Sequence, residues 1–365
     1  MNRLVPILVL LIAVGAGVWF WPRGTEVTDQ MLRQTRAELL MELETLWIKN
    51  GMKRSDGYIY AVDVGHLLIH AVRVGDKALY ETVKAGTLDS LVIDRKDDPY
   101  TQGFVGWRVR PGRPLDASGT TEALRIARGL WGGARRFKLP ADRAMALKII
   151  HGYARHAYID QGVWLVRNYF NFQTRSFAND SFLVDYDPDL IADIARETGD
   201  DDLEELARRS YGAVQSASSP VGLFHTLIQP DLRTIMPDAP VTVFSPNDVI
   251  QVNNACTVAE TIAHGDFDTA MRLLEFVTDQ GRGLKRAYYG RTGEAVEATP
   301  ADSTAWSCLV RLAATLKRPK AMNMFLGMAY PGWRWLIEHR VRRPFATTEA
   351  VLAIDAVLET NRKTP

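Results

Sequence analysis

Residues 249–277 read VIQVNNACTVAETIA-HGD-FDTAMRLLEFV and show the pattern that decides the fold of this chain. On both sides of the His-Gly-Asp break, apolar residues recur three and four positions apart, which is the spacing of an apolar stripe on an α-helix. The break itself is rich in residues that are typical of helix ends. The stretch therefore predicts a helical hairpin, in which two helices are joined by a tight turn.

The same pattern recurs along the rest of the chain. Helical runs with a break are predicted at residues 62–83, 120–159, 188–214 and 301–328, with single helices at 28–47 and 347–360. The breaks are expected at Gly75-Asp76, at Gly132-Gly133 and near Pro140, at Gly199-Asp200, and at residues 317–319. Strand-like alternation is limited to short pieces such as 104–109 and 241–244. About ten to twelve helices in consecutive hairpins bury their stripes by stacking around a common axis, so we predict an all-α fold, an α/α toroid.

The N-terminal segment differs from everything after it, because residues 4–21 carry no charge. At about 1.5 Å per helical residue such a run covers roughly 27 Å, close to the hydrocarbon core of a bilayer. Bulky aromatic residues at 19–21 stand where a signal peptide would have its small-residue cleavage site. We expect an inner-membrane anchor within residues 1–25 and a single domain over residues 26–365 in the periplasm. A cleaved signal peptide is the alternative, and it also exports the domain.

Composition and charge narrow the function. The chain has 365 residues, of which 44 are Lys or Arg and 43 are Asp or Glu, so no excess of positive charge supports nucleic-acid binding. The glycines at 129–133 follow a helix rather than a strand, and no Gly-x-Ser-x-Gly motif is present. We therefore expect no nucleotide cofactor and no serine hydrolase. Cys256 and Cys308 lie in apolar helical segments and are expected to be buried free thiols, with a disulfide as the alternative.

In a toroid, the first helices of the hairpins surround a central cavity, and their starts are the places to look for chemistry. The segments at these starts are acidic: YAVDVGHLL around Asp63, DASGTTEAL around Asp116 and Glu122, FANDSFLVDYDPDL at 177–190, SPNDVIQV around Asp248, and TPADSTAW around Asp302. Acidic and hydroxyl side chains are also the usual caps of helix N-termini. Each of these acids is therefore a candidate either for catalysis or for capping.

These segments resemble the family 8 glycoside hydrolases, from about residue 47 to residue 326. YAVDVGHLLIHAVRVGDKALY, at 60–80, is similar in outline to the family's Ser-Glu-Gly segment, its apolar helix and its Gly-Asp turn. ASGTTE at 117–122 is similar to Ala-Ser-Asp-x-Asp, ANDSF at 178–182 to Asn-Pro-Ser-Tyr, and NDVIQ at 247–251 to Tyr-Asp-Ala-x-Arg. The resemblance implies an (α/α)6 barrel and inverting hydrolysis of a polysaccharide, as in endoglucanases, chitosanases and the cellulases of cellulose-secretion systems.

The resemblance also implies catalytic roles for individual residues, although this sequence departs from the family pattern at two of the acidic positions. The family's general-acid Glu falls on Val62, beside Asp63, and a second acidic position falls on Thr121, beside Glu122. The catalytic base falls on Asp248. An inverting pair lies about 6.5 to 9.5 Å apart, and the candidate pair here is Asp63 and Asp248. Glu122 is the replacement acid if Asp63 is only a helix cap. A protein that binds glycan without cleaving it, as part of a polysaccharide-secretion machinery, is the alternative.

Sugar binding requires aromatic faces and polar groups at the rim of the cleft. The candidate substrate-binding residues are His66, Trp107, Asp116, Trp164, Tyr169, Asn179, Asn247 and Gln251. Arg108 or Arg110 could meet an anionic sugar. Asp63, His66 and His70 also share one helical face, at a spacing that suits a divalent ion. No Glu of the HExxH type lies between the two histidines, so no metal is expected, and the predicted partner is a polysaccharide or oligosaccharide.

Overall fold

The computed structural model describes residues 26–160, 163–228, 249–340 and 343–363. Within these residues the chain forms twelve α-helices. In chain order they are α1 (Asp29–Leu46), α2 (Ala61–Val74), α3 (Lys77–Leu91), α4 (Thr120–Phe137), α5 (Pro140–Ala154), α6 (Pro188–Thr198), α7 (Asp201–Ser216), α8 (Val252–Ile262), α9 (Phe267–Gln280), α10 (Ser303–Thr315), α11 (Pro319–Glu338) and α12 (Pro344–Lys363). The prediction of an all-α fold with about ten to twelve helices is confirmed.

The even-numbered helices form an inner ring and the odd-numbered helices lie outside it. Helix α2 packs against α4, α6 against α8, α8 against α10, α10 against α12, and α12 returns to α2. Between α4 and α6 the ring is completed by a short 3-10 turn, Leu183–Asp185, which contacts both α4 and α8. The inner helices α2 and α10 are buried around most of their circumference, whereas α3 and α9 bury one stripe. This difference is the one expected between a ring wall and its outer layer.

Local sequence explains the tight turns of the hairpins. Gly75 adopts φ 81° after α2, and the Asp76 side chain then accepts a hydrogen bond from the N–H of Leu79. Gly199 and Asp200 repeat this arrangement between α6 and α7. Glycine reaches the left-handed conformation without steric cost, and aspartate satisfies an N–H group at the start of the next helix. The predicted breaks at these two turns, near Pro140 and at residues 317–319, are confirmed.

The predicted break at Gly132-Gly133 is wrong, because α4 continues through both residues. These glycines bring helices close together instead of ending one. A Cβ at Gly129 would lie 2.6 Å from the Cβ of Leu68, and a Cβ at Gly133 would collide with the Tyr80 hydroxyl. The glycine-rich face of α4 is therefore a contact surface against α2 and α3.

The described residues also form ten short strands outside the helices, and each pairs in antiparallel fashion with one partner. The pairs are β1 (Ile59–Tyr60) with β2 (Arg108–Val109), β3 (Ala157–Asp160) with β4 (Val163–Val166), β5 (Phe170–Asn171) with β6 (Ser176–Phe177), β7 (Ser181–Phe182) with β8 (Leu227–Ile228), and β9 (Val249–Gln251) with β10 (Ala287–Tyr289). Because residues 249–251 form β9, the helix predicted from residue 249 begins only at Val252. The strand piece predicted at 241–244 lies outside the described residues.

Cys256 and Cys308 form a disulfide that links the inner helices α8 and α10. The expectation of two free thiols is therefore wrong. Both residues are fully buried, and their Cα atoms lie 6.1 Å apart, which is within the range of a disulfide. Two residues that are far apart in sequence become neighbours only when the ring forms. No helix of the described residues is long and apolar enough to cross a membrane, and the anchor predicted at residues 4–21 lies outside those residues.

Candidate active site

A small irregular sheet joins the start of α2 to the start of α4. β1 pairs with β2, and isolated bridges continue the pairing through residues 106 and 117–118 to β5. This rim brings three side chains together. The rings of Tyr60 and Trp107 meet edge to face at 5.7 Å, and the Trp107 Nε1–H donates to Asp116 Oδ1 at 2.9 Å. Two of the predicted substrate contacts, Trp107 and Asp116, thus lie beside the first inner helix.

Asp63 lies in the first turn of α2 and is fully buried. The guanidinium of Arg54 donates to both of its oxygens, each at 2.7 Å. Burial raises the pKa of Asp63, and the ion pair with Arg54 opposes that effect. A carboxylate with both oxygens engaged and no exposed surface has no free atom for a glycosidic oxygen. The catalytic role of Asp63 stays a prediction, and its surroundings favour Glu122 as the acid.

Glu122 lies in the first turn of α4 and is half-buried. Its carboxyl rests against Gly119, where a Cβ would collide with Oε2, and the same Cβ would lie 2.8 Å from the Cβ of Trp107. Burial raises the pKa of Glu122 to about 7; the charge of Asp63 adds to the rise, and Arg125 opposes it. Within the described residues no side chain donates a hydrogen bond to this carboxyl. A protonated carboxyl beside an aromatic platform has the properties of a general acid.

A second buried carboxyl, Asp185, supports the start of α4; it lies in the acidic segment 177–190, where no local pattern distinguishes it from the neighbouring acids. The hydroxyl of Thr121 donates a short hydrogen bond to Asp185 Oδ1, while Oδ2 is buried without a partner. Burial raises the pKa of Asp185 well above its usual range. The resemblance placed an acidic residue at position 121. Here a threonine occupies that position and contacts an acid from a different segment.

His66 belongs to the wall of the ring. It is 2% exposed, its Nδ1 lies 3.1 Å from the Thr348 hydroxyl, and its Nε2 lies 3.4 Å from Glu349 Oε1. Burial holds the pKa of His66 well below its usual range, and nearby arginines add to the effect. His70 pairs with Asp355 at 2.5 Å, so it is packed in the wall of the ring. Contact between His66 and a sugar stays a prediction.

The metal alternative finds no support in the described part of the chain. Asp63 is held by Arg54 and His70 by Asp355, so the three residues of the predicted helical face have separate partners. In the described ranges no group of three or more His, Cys, Asp or Glu side chains could hold a metal ion.

The remaining predicted contacts lie farther along the rim. The hydroxyl of Thr120, in the first turn of α4, donates to the carbonyl of Asn168 at 2.6 Å. This hydrogen bond links the start of α4 to the segment between β4 and β5. Tyr169 follows and is 40% exposed. Trp164 on β4 is half-buried, with its ring edge-on to Tyr186, whereas Asn179 and Gln251 are exposed. Asn247 and Asp248 lie outside the described residues, so the pairing of Asp63 with Asp248 stays a prediction.

Comparisons with known proteins agree with this architecture. No protein-family model and no curated protein matches the sequence. Among solved structures, a beta-1,3-1,4-glucanase from Paenibacillus sp. X4 matches with a TM-score of 0.66 at 12% identity, covering 92% of this chain and 93% of the glucanase. An alpha-amylase from Clostridium perfringens matches with a TM-score of 0.65 at 14% identity, covering 84% of this chain and 89% of the amylase. Rex8A from Paenibacillus barcinonensis, in complex with xylose, matches with a TM-score of 0.64 at 16% identity, covering 93% of this chain and 95% of Rex8A. The chain has the six-hairpin glycosidase fold that the resemblance implied.

Proposed function

We propose that this chain is a polysaccharide-acting glycoside hydrolase in which Glu122 is the general acid. The observation that carries the proposal is the Glu122 carboxyl, which has a pKa of about 7 and sits against Gly119 beside Trp107. Carboxylic acids in glycosidases are kept protonated near neutral pH by burial of this kind. The fold shared with a glucanase, an amylase and a xylose-binding protein supports the substrate class.

The proposed reaction is inverting. Glu122 donates its proton to the leaving glycosidic oxygen as the C–O bond breaks, and a carboxylate on the other face takes a proton from the attacking water. Asp248 is our candidate for that base, from its place in the sequence pattern. We further propose that the domain acts outside the cytoplasm on a secreted polymer, which agrees with the Cys256–Cys308 disulfide.

The test uses the purified full-length chain with β-1,4-glucan, chitosan and an acidic polysaccharide, and scores new reducing ends and the anomer released. We expect cleavage by the native protein and a loss of about 10²–10⁴-fold in Glu122→Gln. Glu204→Gln is the matched control, because Glu204 also lies in the first turn of a helix but is exposed on the outer layer. Equal activity of Glu122→Gln and native protein would refute the assignment.

A glycan-binding protein without catalysis is the second candidate. It is favoured by one observation, the engagement of both Asp63 oxygens by Arg54 at the start of α2. In that case the native protein retains polymer in a pull-down but releases no reducing ends, and Asp248→Asn behaves like the native chain.

A further inference from the structure

Arg125 is a half-buried guanidinium that lies one helical turn after Glu122 on α4. It is near enough to Glu122 and to His66 to lower the pKa of both groups. Within the described residues it forms no ion pair and no side-chain hydrogen bond. Arginine is rarely taken out of water without a partner, because its desolvation is then uncompensated. A ligand with negative charge would supply the missing partner.

Packing fixes the position of Arg125. A Cβ at Gly65 would lie 2.7 Å from the Arg125 Cβ and 3.0 Å from its carbonyl carbon. Helices α2 and α4 are therefore in close contact at this residue. The guanidinium thus extends from a rigid part of the inner wall and not from a loop.

A second guanidinium, that of Arg108, is held at the rim. Its central carbon lies 4.1 Å from the ring centroid of Tyr58 and 4.1 Å from that of Trp107. Its Nε and Nη2 both donate to Asp116 Oδ2, at 3.4 Å and 3.3 Å. The other oxygen of that carboxylate accepts from Trp107 and from the Ala117 N–H. The aromatic contacts orient the guanidinium, and the N–H groups that are not used by Asp116 or Tyr60 are left for another acceptor.

Two carboxylates near these arginines already accept hydrogen bonds from the protein. Asp63 is held by Arg54, and Asp56 accepts from the Tyr60 hydroxyl at 2.7 Å and from the Tyr58 N–H at 3.0 Å. By contrast, Arg110 is exposed and has no ion pair among the described residues. Among the described residues, Arg110 and Arg125 therefore have no carboxylate paired with them.

We propose that the site binds an acidic polysaccharide whose sugars carry carboxylates, that is, a uronic acid polymer. Arg125 binds the carboxylate of the sugar next to Glu122, and Arg108 with Arg110 binds the carboxylate of a sugar at the rim, where Trp107 covers the ring face. Guanidinium and carboxylate match as planar, bidentate partners. This inference deepens the proposed function and rests on the same site, but it does not require that the bond be cleaved.

The experiment measures binding of the full-length chain to oligomers of glucuronate, mannuronate and galacturonate, each beside its carboxyl-reduced neutral counterpart. The two members of each pair share linkage and length and differ only in the carboxylate. Arg125→Gln and Arg108→Gln are the test variants. Arg208→Gln is the control, because Arg208 is exposed on the outer helix α7 and pairs with Glu205.

We expect one acidic oligomer to bind at least about tenfold more tightly than its neutral counterpart, with a preference that weakens as salt is added. Arg125→Gln should lose most of that preference, Arg108→Gln part of it, and Arg208→Gln none. Equal binding within all three pairs would overturn the proposal, as would a preference that survives Arg125→Gln. Tighter binding of a sulfated oligomer of equal charge would overturn the carboxylate assignment. The two proposals fail separately, because the acidic-over-neutral preference is a binding measurement that needs no cleavage, whereas the hydrolase proposal is tested by new reducing ends.

Discussion

Arg54 donates to both carboxylate oxygens of Asp63 at 2.7 Å, and this ion pair joins the loop before β1 to the first turn of α2. Asp63 is fully buried, whereas the Arg54 side chain is 26% exposed and lies over the ring of Tyr60. Asp63 lies where the sequence pattern predicts a catalytic acid, but both of its oxygens are engaged in an ion pair with the protein itself. In the proposed reaction the catalytic proton comes from Glu122, on the neighbouring inner helix.

Removing one member of this pair should destabilise the protein strongly. We expect Arg54→Ala to lower the free energy of unfolding by about 3–5 kcal/mol, because a buried carboxylate is left without its partner. The measurement is urea denaturation at neutral pH. Arg95→Ala breaks an exposed pair with Asp97 and should leave the midpoint unchanged. An Arg54→Ala midpoint equal to the native one would show that the ion pair is not structural.

Glu122 should make the stability depend on pH in a defined direction. Its pKa is raised in the folded state, so the folded protein binds the proton more tightly than the unfolded chain does. Its contribution is fully present below about pH 4.5 and is lost as the pH rises through about 7. As the pH rises between these limits, the free energy of unfolding of Glu122→Gln should increase relative to that of the native chain by on the order of 3 kcal/mol.

The measurement compares denaturant unfolding of both proteins at acidic and alkaline pH, with Glu204→Gln as the control. In the same series hydrolysis should decline above about pH 7 as the acid loses its proton. A difference between Glu122→Gln and native protein that is constant with pH would contradict the raised pKa.

Gly119→Ala should impair the site by steric collision, without any backbone strain. Gly119 has φ −134° and ψ 124°, which any residue adopts, yet the added methyl group would collide with the Glu122 carboxyl and lie 2.8 Å from the Trp107 Cβ. We expect a loss of about 1–3 kcal/mol in stability together with reduced hydrolysis. Gly212→Ala is the control: it lies in α7 with no atom near the new methyl group, and it should stabilise by about 0.5–1 kcal/mol. Native activity in Gly119→Ala would show that the Glu122 position is not confined by Gly119.

The Cys256–Cys308 disulfide closes a long loop, since the two residues are 52 positions apart. Replacing both cysteines with alanine should lower the free energy of unfolding by about 4 kcal/mol through the larger entropy of the unfolded chain. The check is thermal and denaturant unfolding of the double variant beside the native protein. Thiol labelling of the native protein in denaturant, without reductant, should find no free thiol; two labelled cysteines would contradict the bond.

The hairpins could be predicted because their turns are local. Gly75 and Gly199 end helices within a few residues of the apolar stripes that they follow, so sequence spacing is sufficient. Gly133 could not be interpreted in this way, since glycine also permits close approach, and the residue that approaches is Tyr80 on another helix. Likewise, β9 exists because it pairs with β10 some forty positions away, a contact that no local pattern encodes.

The site was predictable as a set of segments but not as a set of roles. Glu122 could be found because it lies beside a patterned position at the start of an inner helix. Its raised pKa depends on burial, and the engagement of Asp63 depends on Arg54, which lies in a loop without a pattern. Arg125 carried no signal in the sequence, because an arginine on a helix is ordinarily solvated.

The ring is closed by its last helix, and this order constrains how the chain folds. Helix α12 supplies Asp355 to His70 and Glu349 to Arg311, two of the buried polar pairs of the inner wall. Because a chain is made from its N-terminus, α2 and α10 exist before the helix that joins them. Until α12 is synthesised, His70 lacks Asp355, Arg311 has only its pair with Glu260 on α8, and the two apolar faces are exposed to water. The earlier hairpins form an open arc, and the ring closes only after α12 has docked on α2 and α10.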